Sequence, residues 1–172
     1  MFIRTVFVVF TVLSAGLSAA LGQGMPMTKP AVTATTAPAV LTVGGEVAKP
    51  LTLSPADLAK LPRQTVTVAG HDGKSSTLAG VSLIEILKQA GLELGDKLHG
   101  KSFAMFVVIE ATDGYKVVLS LPEIDSGTMI IADQEDGKPL SQGEGPWKLV
   151  IASDKKPHRW ARQVVSITVR RA

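Results

Sequence analysis

Cysteine is absent from this sequence of 172 residues, and the net charge is small. The lack of cysteine excludes disulfide frameworks, thiolate metal sites and cysteine nucleophiles together. The formal net charge of +3 gives little support for nucleic-acid binding, which calls for basic residues concentrated on one face. Hydrophobic residues make up 45% of the chain and charged residues 19%, a composition typical of a folded domain.

Several common catalytic patterns are missing as well. The sequence contains no G-x-S-x-G elbow, no Walker loop and no G-x-G-x-x-G motif opening a helix. The three histidines, His71, His99 and His158, lie 28 and 59 positions apart and lack the close spacings of local zinc motifs. The patterns therefore argue against a hydrolase, a nucleotide triphosphatase, a dinucleotide-binding protein and a local zinc site.

The first 22 residues have the three parts of a secretory signal peptide. Arg4 precedes a short apolar run, and small residues follow up to Gly22. The alternative is an uncleaved membrane anchor, because the stretch 5–21 reaches the lower edge of a membrane-spanning length. We expect cleavage, export to a bacterial periplasm or beyond, and no stable membrane insertion of the mature chain. Residues 23–39, rich in Pro, Thr and Ala, are predicted to be a flexible tether before a domain at 40–172.

From residue 40 onward the pattern predicts short strands and few helices. A strand is expected to turn tightly at Gly44-Gly45, and further strands are predicted at 63–68, 103–109, 115–119, 128–132, 147–152 and 163–169. Turns are predicted at Asp113-Gly114 and Asp136-Gly137, and the first of them would join two strands in a hairpin. Ser54 and Pro55 are typical of a helix start, Ser82 to Glu85 match a capping box, and residues 121–125 could form one helical turn. These elements predict an α+β domain with a mixed, mainly antiparallel sheet and two or three short helices.

Two loops have the composition of a binding site. In residues 69–74, two glycines bracket His71-Asp72, where an imidazole and close backbone approach could serve a ligand; the alternative is a polar turn with an exposed histidine. Residues 153–162 combine a tryptophan with five cationic or titratable side chains, which suits an oxyanion or phosphate. The alternative there is a solubilising loop anchored by its tryptophan. The candidate residues are His71, Lys155, Lys156, His158, Arg159, Trp160 and Arg162.

Four segments of the sequence are informative through their order and spacing: LTVGGEVAKPLTLSPADLAKLP, GVSLIEILKQAGL, ATDGYKVVLSLPEID and DGKPLSQGEGPWKLVIASDKKPHRWARQVVSITV. In order and spacing they resemble the oxidoreductase molybdopterin-binding domain of the sulfite oxidase type, over residues 40–170. The family's glycine-proline strand entry matches Gly145-Pro146, and its basic-tryptophan pair matches Arg159-Trp160. The resemblance implies a sulfite oxidase-like α+β fold, a pterin cofactor carrying molybdenum, and oxygen-atom or electron transfer on small substrates.

The family places a molybdenum-ligating cysteine thiolate in a loop that corresponds to residues 68–74, and this sequence has no cysteine there. His71 is the nearest ligand in that stretch, and imidazole replaces a soft anionic thiolate poorly. Two expectations follow. In the first, an exported redox protein holds molybdopterin or another anionic ligand between the two loops and acts with a periplasmic redox partner. In the second, a cofactor-free descendant of the fold is a periplasmic binding or protein-interaction module.

Overall fold

A computed structural model of this chain describes residues 39–69 and 74–172. The predicted signal peptide at 1–22, almost all of the predicted tether and His71 lie outside the described residues. The described ranges contain ten strands and three α-helices. The strands are β1 (Leu41–Gly45), β2 (Leu51–Leu53), β3 (Arg63–Ala69), β4 (Ser75–Ser82), β5 (Met105–Ala111), β6 (Lys116–Ser120), β7 (Met129–Glu135), β8 (Lys138–Pro139), β9 (Lys148–Ile151) and β10 (Val164–Arg171). The helices are α1 (Pro55–Leu58), α2 (Leu83–Gln89) and α3 (Leu121–Ser126), and 3₁₀ turns occur at Gly95–Lys97, Gly100–Ala104 and Pro157–Arg159.

The strands form two sheets of five strands each. The first has the order β2-β1-β10-β5-β6, and in it β1 runs parallel to β10 while the other neighbours are antiparallel. The second has the order β3-β4-β7-β8, with β9 also paired to β7, and all its pairings are antiparallel. This arrangement confirms the predicted α+β class and its mixed, mainly antiparallel character.

The main core contains buried side chains from both sheets and from the helices. In β5, Met105, Val107, Ile109 and Ala111 are buried and alternate with partly exposed residues, which is the pattern of a strand covered on one face. The helix α2 contributes the buried Leu83, Ile86 and Leu87. A smaller cluster of Val66, Leu78, Ile130, Ala132 and Val150 has Trp160 packed against it. In the described ranges, no helix has the length and apolarity needed to cross a membrane.

The predicted tight turn at Gly44-Gly45 is wrong. The strand β1 continues through both glycines, and Gly45 pairs with Val169 of β10. Gly45 has φ +89°, and a Cβ there would lie 2.0 Å from the Val169 carbonyl oxygen, whereas a Cβ at Gly44 would meet nothing within 4 Å. Gly45 is therefore needed for close approach of a neighbouring strand and not for a hairpin turn.

The capping box predicted at Ser82 is also absent, because Ser82 begins α2 without a side-chain cap hydrogen bond. A complete capping box occurs instead at Ser54 and Asp57 of α1. The Ser54 hydroxyl donates to Asp57 Oδ2 at 2.7 Å, and the Ser54 amide donates to the same oxygen at 3.1 Å. The bond from the Ser54 hydroxyl, followed by a bond from Lys60 and then by the bond from the Ser54 amide, lowers the pKa of Asp57 to about 2.

Candidate functional site

A cleft of about 920 Å³ lies where three parts of the chain meet. Ala69 at the end of β3 forms one wall, and Ala111, Asp113 and Tyr115 of the β5–β6 hairpin form another. The loop between β9 and β10 supplies most of the remaining lining. The cleft is therefore bordered by both sheets and by the loop that the sequence singled out.

Four cationic or titratable side chains of that loop line the cleft: Lys155, Lys156, His158 and Arg162. All four are exposed. Within residues 39–69 and 74–172, none of their four side chains forms an ion pair or a hydrogen bond. Positive charge that is gathered at a concave surface and has no internal partner is available to an anionic ligand. We call these four residues the cationic set.

Arg159 lies in the same loop but has a different environment. Its Nε donates to Asp154 Oδ2 at 3.0 Å, its Nη2 to Asp154 Oδ1 at 2.6 Å, and its Nη1 to Glu123 Oε1 at 2.7 Å. The bidentate bond with Asp154, together with Glu123, raises the pKa of Arg159 above its ordinary value. Arg159 does not line the cleft, and its bonds fasten the loop to α3.

A second attachment joins the loop to the β5–β6 hairpin. The Tyr115 hydroxyl donates to the His158 carbonyl oxygen at 2.5 Å. Tyr115 is itself placed by a turn in which Asp113 Oδ1 accepts the Tyr115 amide at 2.9 Å and Gly114 has φ +83°. The loop that carries the cationic set is thus attached both to α3, through Arg159, and to the β5–β6 hairpin, through Tyr115.

Gln163 fixes the base of the loop. It has φ +50°, a conformation that few residues other than glycine adopt. Its Oε1 accepts from the Thr112 hydroxyl at 2.8 Å, and its Nε2 donates to the Gln142 carbonyl oxygen at 2.9 Å. Its backbone amide also donates to the Glu144 carbonyl oxygen at 3.0 Å. This network anchors the side of the cleft that leads into β10.

Trp160 lines both the cleft and a smaller cavity of about 280 Å³. Its Nε1 donates to the Ile151 carbonyl oxygen at 3.1 Å, and Lys148 Nζ lies 5.7 Å from the ring centroid. Lys148 is buried and is paired with Glu144 at 2.8 Å. The ring is therefore fixed by a hydrogen bond on its edge and a cation near its face. Arg162 borders both cavities.

Of the predicted site residues, Lys155, Lys156, His158, Trp160 and Arg162 come together at the cleft, Arg159 does not line it, and His71 lies outside the described residues. Their role in binding stays a prediction. Sequence reasoning missed Asp113, Tyr115 and Gln163. The predicted Asp113-Gly114 turn was the only signal for the first two, since only the fold brings that turn beside residues 155–162.

The donor set does not fit a thiolate-held molybdenum ion. The full sequence has no cysteine. Among the described residues, no three His, Asp or Glu side chains are gathered where they could hold a metal. Lysine and arginine, the main polar groups of the cleft, are hydrogen-bond donors and carry no lone pair for a metal when protonated. The described residues of the cleft therefore offer hydrogen-bond donors suited to an anion and no set of metal ligands.

The sequence profile described as "Oxidoreductase molybdopterin binding domain" matches residues 29–172. The chain therefore belongs to the oxidoreductase molybdopterin-binding domain family, and the resemblance inferred from the sequence is confirmed. No curated protein matches the sequence significantly.

Among solved structures, the chain is similar to the sulfane dehydrogenase SoxCD from Paracoccus pantotrophus, with a TM-score of 0.62 and 18% sequence identity. The likeness covers 76% of this chain and only 38% of the SoxCD chain. At this identity the match establishes the sulfite oxidase-like fold and carries no statement about the reaction. The chain spans less than half the length of the protein it matches.

Proposed function

We propose that this chain binds a small phosphate-bearing anion in the cleft and that it does so without a thiolate-ligated molybdenum. The observation that carries the proposal is the cationic set, four side chains that line one cleft and have no partner among the described residues. A basic surface that served only for solubility would not need two separate attachments to hold its backbone beside a cavity. The attachments made by Arg159 and Tyr115 support a site whose shape is fixed before the ligand arrives.

The family membership supports a pterin phosphate as one ligand of this class. A phosphate group would meet lysine and arginine donors, which form charge-assisted hydrogen bonds with its oxygens. Trp160 offers an aromatic edge beside the same cations. The family's metal, when present, supplies the redox chemistry, and this chain lacks the sulfur ligand for it. We therefore assign to this chain the binding of an anion and no redox step.

We also propose that the chain is exported. The pattern of residues 1–22 supports secretion, and a periplasmic location would bring the domain to small anions and partner proteins outside the cytoplasm. Fractionation of the cells that produce the chain, followed by N-terminal sequencing of the purified protein, tests this part. A mature protein beginning after residue 22 in the periplasmic fraction is expected. An intact N-terminus in the membrane fraction would contradict it.

Calorimetric titration with inorganic phosphate and with pyrophosphate tests the binding site. We expect measurable binding by the unmodified protein, tighter for pyrophosphate because it carries more charge. In the variant Lys155→Glu/Lys156→Glu, affinity should fall roughly tenfold or more, which corresponds to about 1.4 kcal/mol. Arg162→Glu should act in the same direction, because Arg162 borders both cavities.

The matched control is Lys97→Glu/Lys101→Glu. These two lysines are exposed, lie outside the cleft, and give the same change in net charge. If the control weakened pyrophosphate binding as much as the cleft variant, the effect would be one of overall charge, and the cleft would lose its assignment. Circular dichroism of each variant verifies that the fold is intact.

A second candidate function is a cofactor-free protein-interaction module. The absence of cysteine from the whole sequence favours it, because the family's metal ligand is gone while the fold is kept. The cationic set would then contact acidic side chains of a partner. Phosphate and pyrophosphate titrations distinguish the two, because a module that recognises only a protein surface has no reason to bind pyrophosphate at the lysine pair.

A further inference from the structure

Asp113 is the single carboxylate among the described residues that line the cleft. One of its oxygens, Oδ1, accepts the Tyr115 amide within the hairpin turn. Its side chain is exposed and, within the described ranges, forms no ion pair with the lysines or arginine of the cationic set. The cleft therefore presents several positive charges and one uncompensated negative charge to the same ligand.

The turn does not by itself require this charge. An asparagine forms the same side-chain-to-backbone turn, and its amide oxygen would accept the Tyr115 N–H equally well. For a ligand that is only an anion, a carboxylate in the cleft lowers affinity by like-charge repulsion. For a ligand that also carries a cationic donor, the same carboxylate becomes a second point of attachment. Asp113 thus separates two classes of anion that the cationic set alone would treat alike.

We propose that the cleft selects a phosphate ester that also bears a protonated amine, with the phosphate at the cationic set and the ammonium group at Asp113. This inference rests on the proposed function, since it assigns the ligand class of the same cleft. The cleft volume of about 920 Å³ leaves room for both groups of such a molecule. Asp113 is the specificity-determining residue, and the lysines supply most of the attraction.

The test compares O-phosphoethanolamine with ethyl phosphate by calorimetry. The two probes share the phosphate and the two-carbon chain, and they differ in the ammonium group. The unmodified protein should bind O-phosphoethanolamine roughly three- to fivefold more tightly, the scale of a solvent-exposed charge pair. In Asp113→Asn, which keeps the turn, this preference should disappear, and ethyl phosphate should bind at least as tightly as before. Asp96→Asn, an exposed position outside the cleft with the same charge change, should behave like the unmodified protein.

The outcomes separate the inference from the proposed function. If both probes bind the unmodified protein equally, or if Asp113→Asn keeps the preference, the role of Asp113 is overturned while phosphate binding stands. If neither probe nor pyrophosphate binds, the proposed function fails and the inference fails with it. Sedimentation with phosphatidylethanolamine vesicles shows whether the ligand is a lipid headgroup or a soluble ester. Sedimentation that requires Asp113 supports a lipid headgroup, and binding of the free ester alone supports a soluble metabolite.

Discussion

Arg159 and Glu123 join two parts of the chain that are 36 positions apart, through a hydrogen bond of 2.7 Å between Nη1 and Oε1. Arg159 belongs to the loop that carries the cationic set, and Glu123 belongs to α3, whose Leu121 and Ile124 are buried in the core. Because α3 is packed in this way, the bond connects an exposed loop to a fixed support. Arg159 therefore holds the loop against α3, and its own donors are largely engaged by carboxylates.

Replacing Arg159 with alanine should therefore affect binding without removing a ligand contact. We expect about 1 kcal/mol loss in the free energy of unfolding, since Arg159 is partly exposed and its ion pairs are screened by solvent. We also expect pyrophosphate affinity to fall roughly threefold. Without Arg159 the loop becomes ordered only on binding, and this ordering makes the free energy of binding less favourable. Urea denaturation and calorimetry measure the two effects.

Arg170→Ala is the control for that variant, since Arg170 is an exposed arginine of β10 outside the cleft. It should leave pyrophosphate affinity nearly unchanged. Compared with Arg159→Ala, the variant Arg159→Lys should restore the positive charge but not the attachment of the loop, because lysine cannot donate two parallel hydrogen bonds to Asp154. If Arg159→Lys bound pyrophosphate as tightly as the unmodified protein, the bidentate bond between Arg159 and Asp154 would not be needed for binding.

The neighbouring glycines 44 and 45 give a sharp test of the fold. In Gly45→Ala, the new Cβ would collide with the Val169 carbonyl oxygen at 2.0 Å while φ stays at +89°. We expect a loss of about 2 kcal/mol or more in the free energy of unfolding. Gly44→Ala, with open space around the added Cβ, should stay within about 0.5 kcal/mol. Equal effects of the two substitutions would show that close approach of β1 and β10 does not control stability.

The capping box at α1 predicts that the stability of the domain depends on pH. Ser54→Ala should destabilise the domain by about 0.5–2 kcal/mol at neutral pH, because it removes the N-cap. The pKa of Asp57 is lowered from 3.8 to about 2 by the bond from Ser54 and then by Lys60. A lowered pKa stabilises the folded state above the unfolded-state value and loses that effect as the pH falls through the folded-state value.

The stability gap between the unmodified protein and Asp57→Asn should accordingly narrow as the pH falls from about 4 to about 2. Denaturant midpoints measured across this window follow the change. Asp96→Asn, at a carboxylate that makes none of these bonds, serves as the comparison. A gap that stays constant over the window would mean that the charge of Asp57 does not contribute to capping.

Elemental analysis of protein purified from a host that makes molybdopterin tests the metal prediction. We expect molybdenum far below one atom per chain, because the lysines and arginine at the cleft are hydrogen-bond donors without a lone pair for a metal and the sequence contains no cysteine. Stoichiometric molybdenum that survives dialysis would contradict this reading. Phosphate analysis of the same material after denaturation reports independently on a bound phosphate ester.

Sequence patterns predicted the fold class well because short alternating runs and Asp-Gly turns are local signals. The hairpin around Asp113-Gly114 and the strand after Arg63 depend on such signals, and both occur. The glycine pair at 44–45 was misassigned because its conformation is imposed by β10, a strand more than a hundred positions away. The capping box at Ser82 failed for a related reason, since β4 extends to Ser82 and holds it in the sheet.

The sequence predicted the loop that forms one side of the candidate site. It did not predict the β5–β6 hairpin that forms another side. Composition identified residues 153–162 because cations and a tryptophan are concentrated there. Asp113 and Tyr115 carry no such signal, and they become site residues only because β5 pairs with β10 and places the hairpin beside the loop. Arg159 could not be told from its cationic neighbours by sequence, because its pairing with Glu123 depends on the position of α3.

The strand β10 has a further consequence for how the domain is made. It occupies the middle of the first sheet, between β1 and β5, yet it comes after all the other described strands in the sequence. Until the ribosome has released residues 164–171, β1 and β5 each lack a neighbour, and the nascent polypeptide cannot close that layer. Structure formation in this layer therefore waits for the synthesis of residues 164–171, and a chain that stopped before Val164 would leave two unprotected strand edges prone to aggregation.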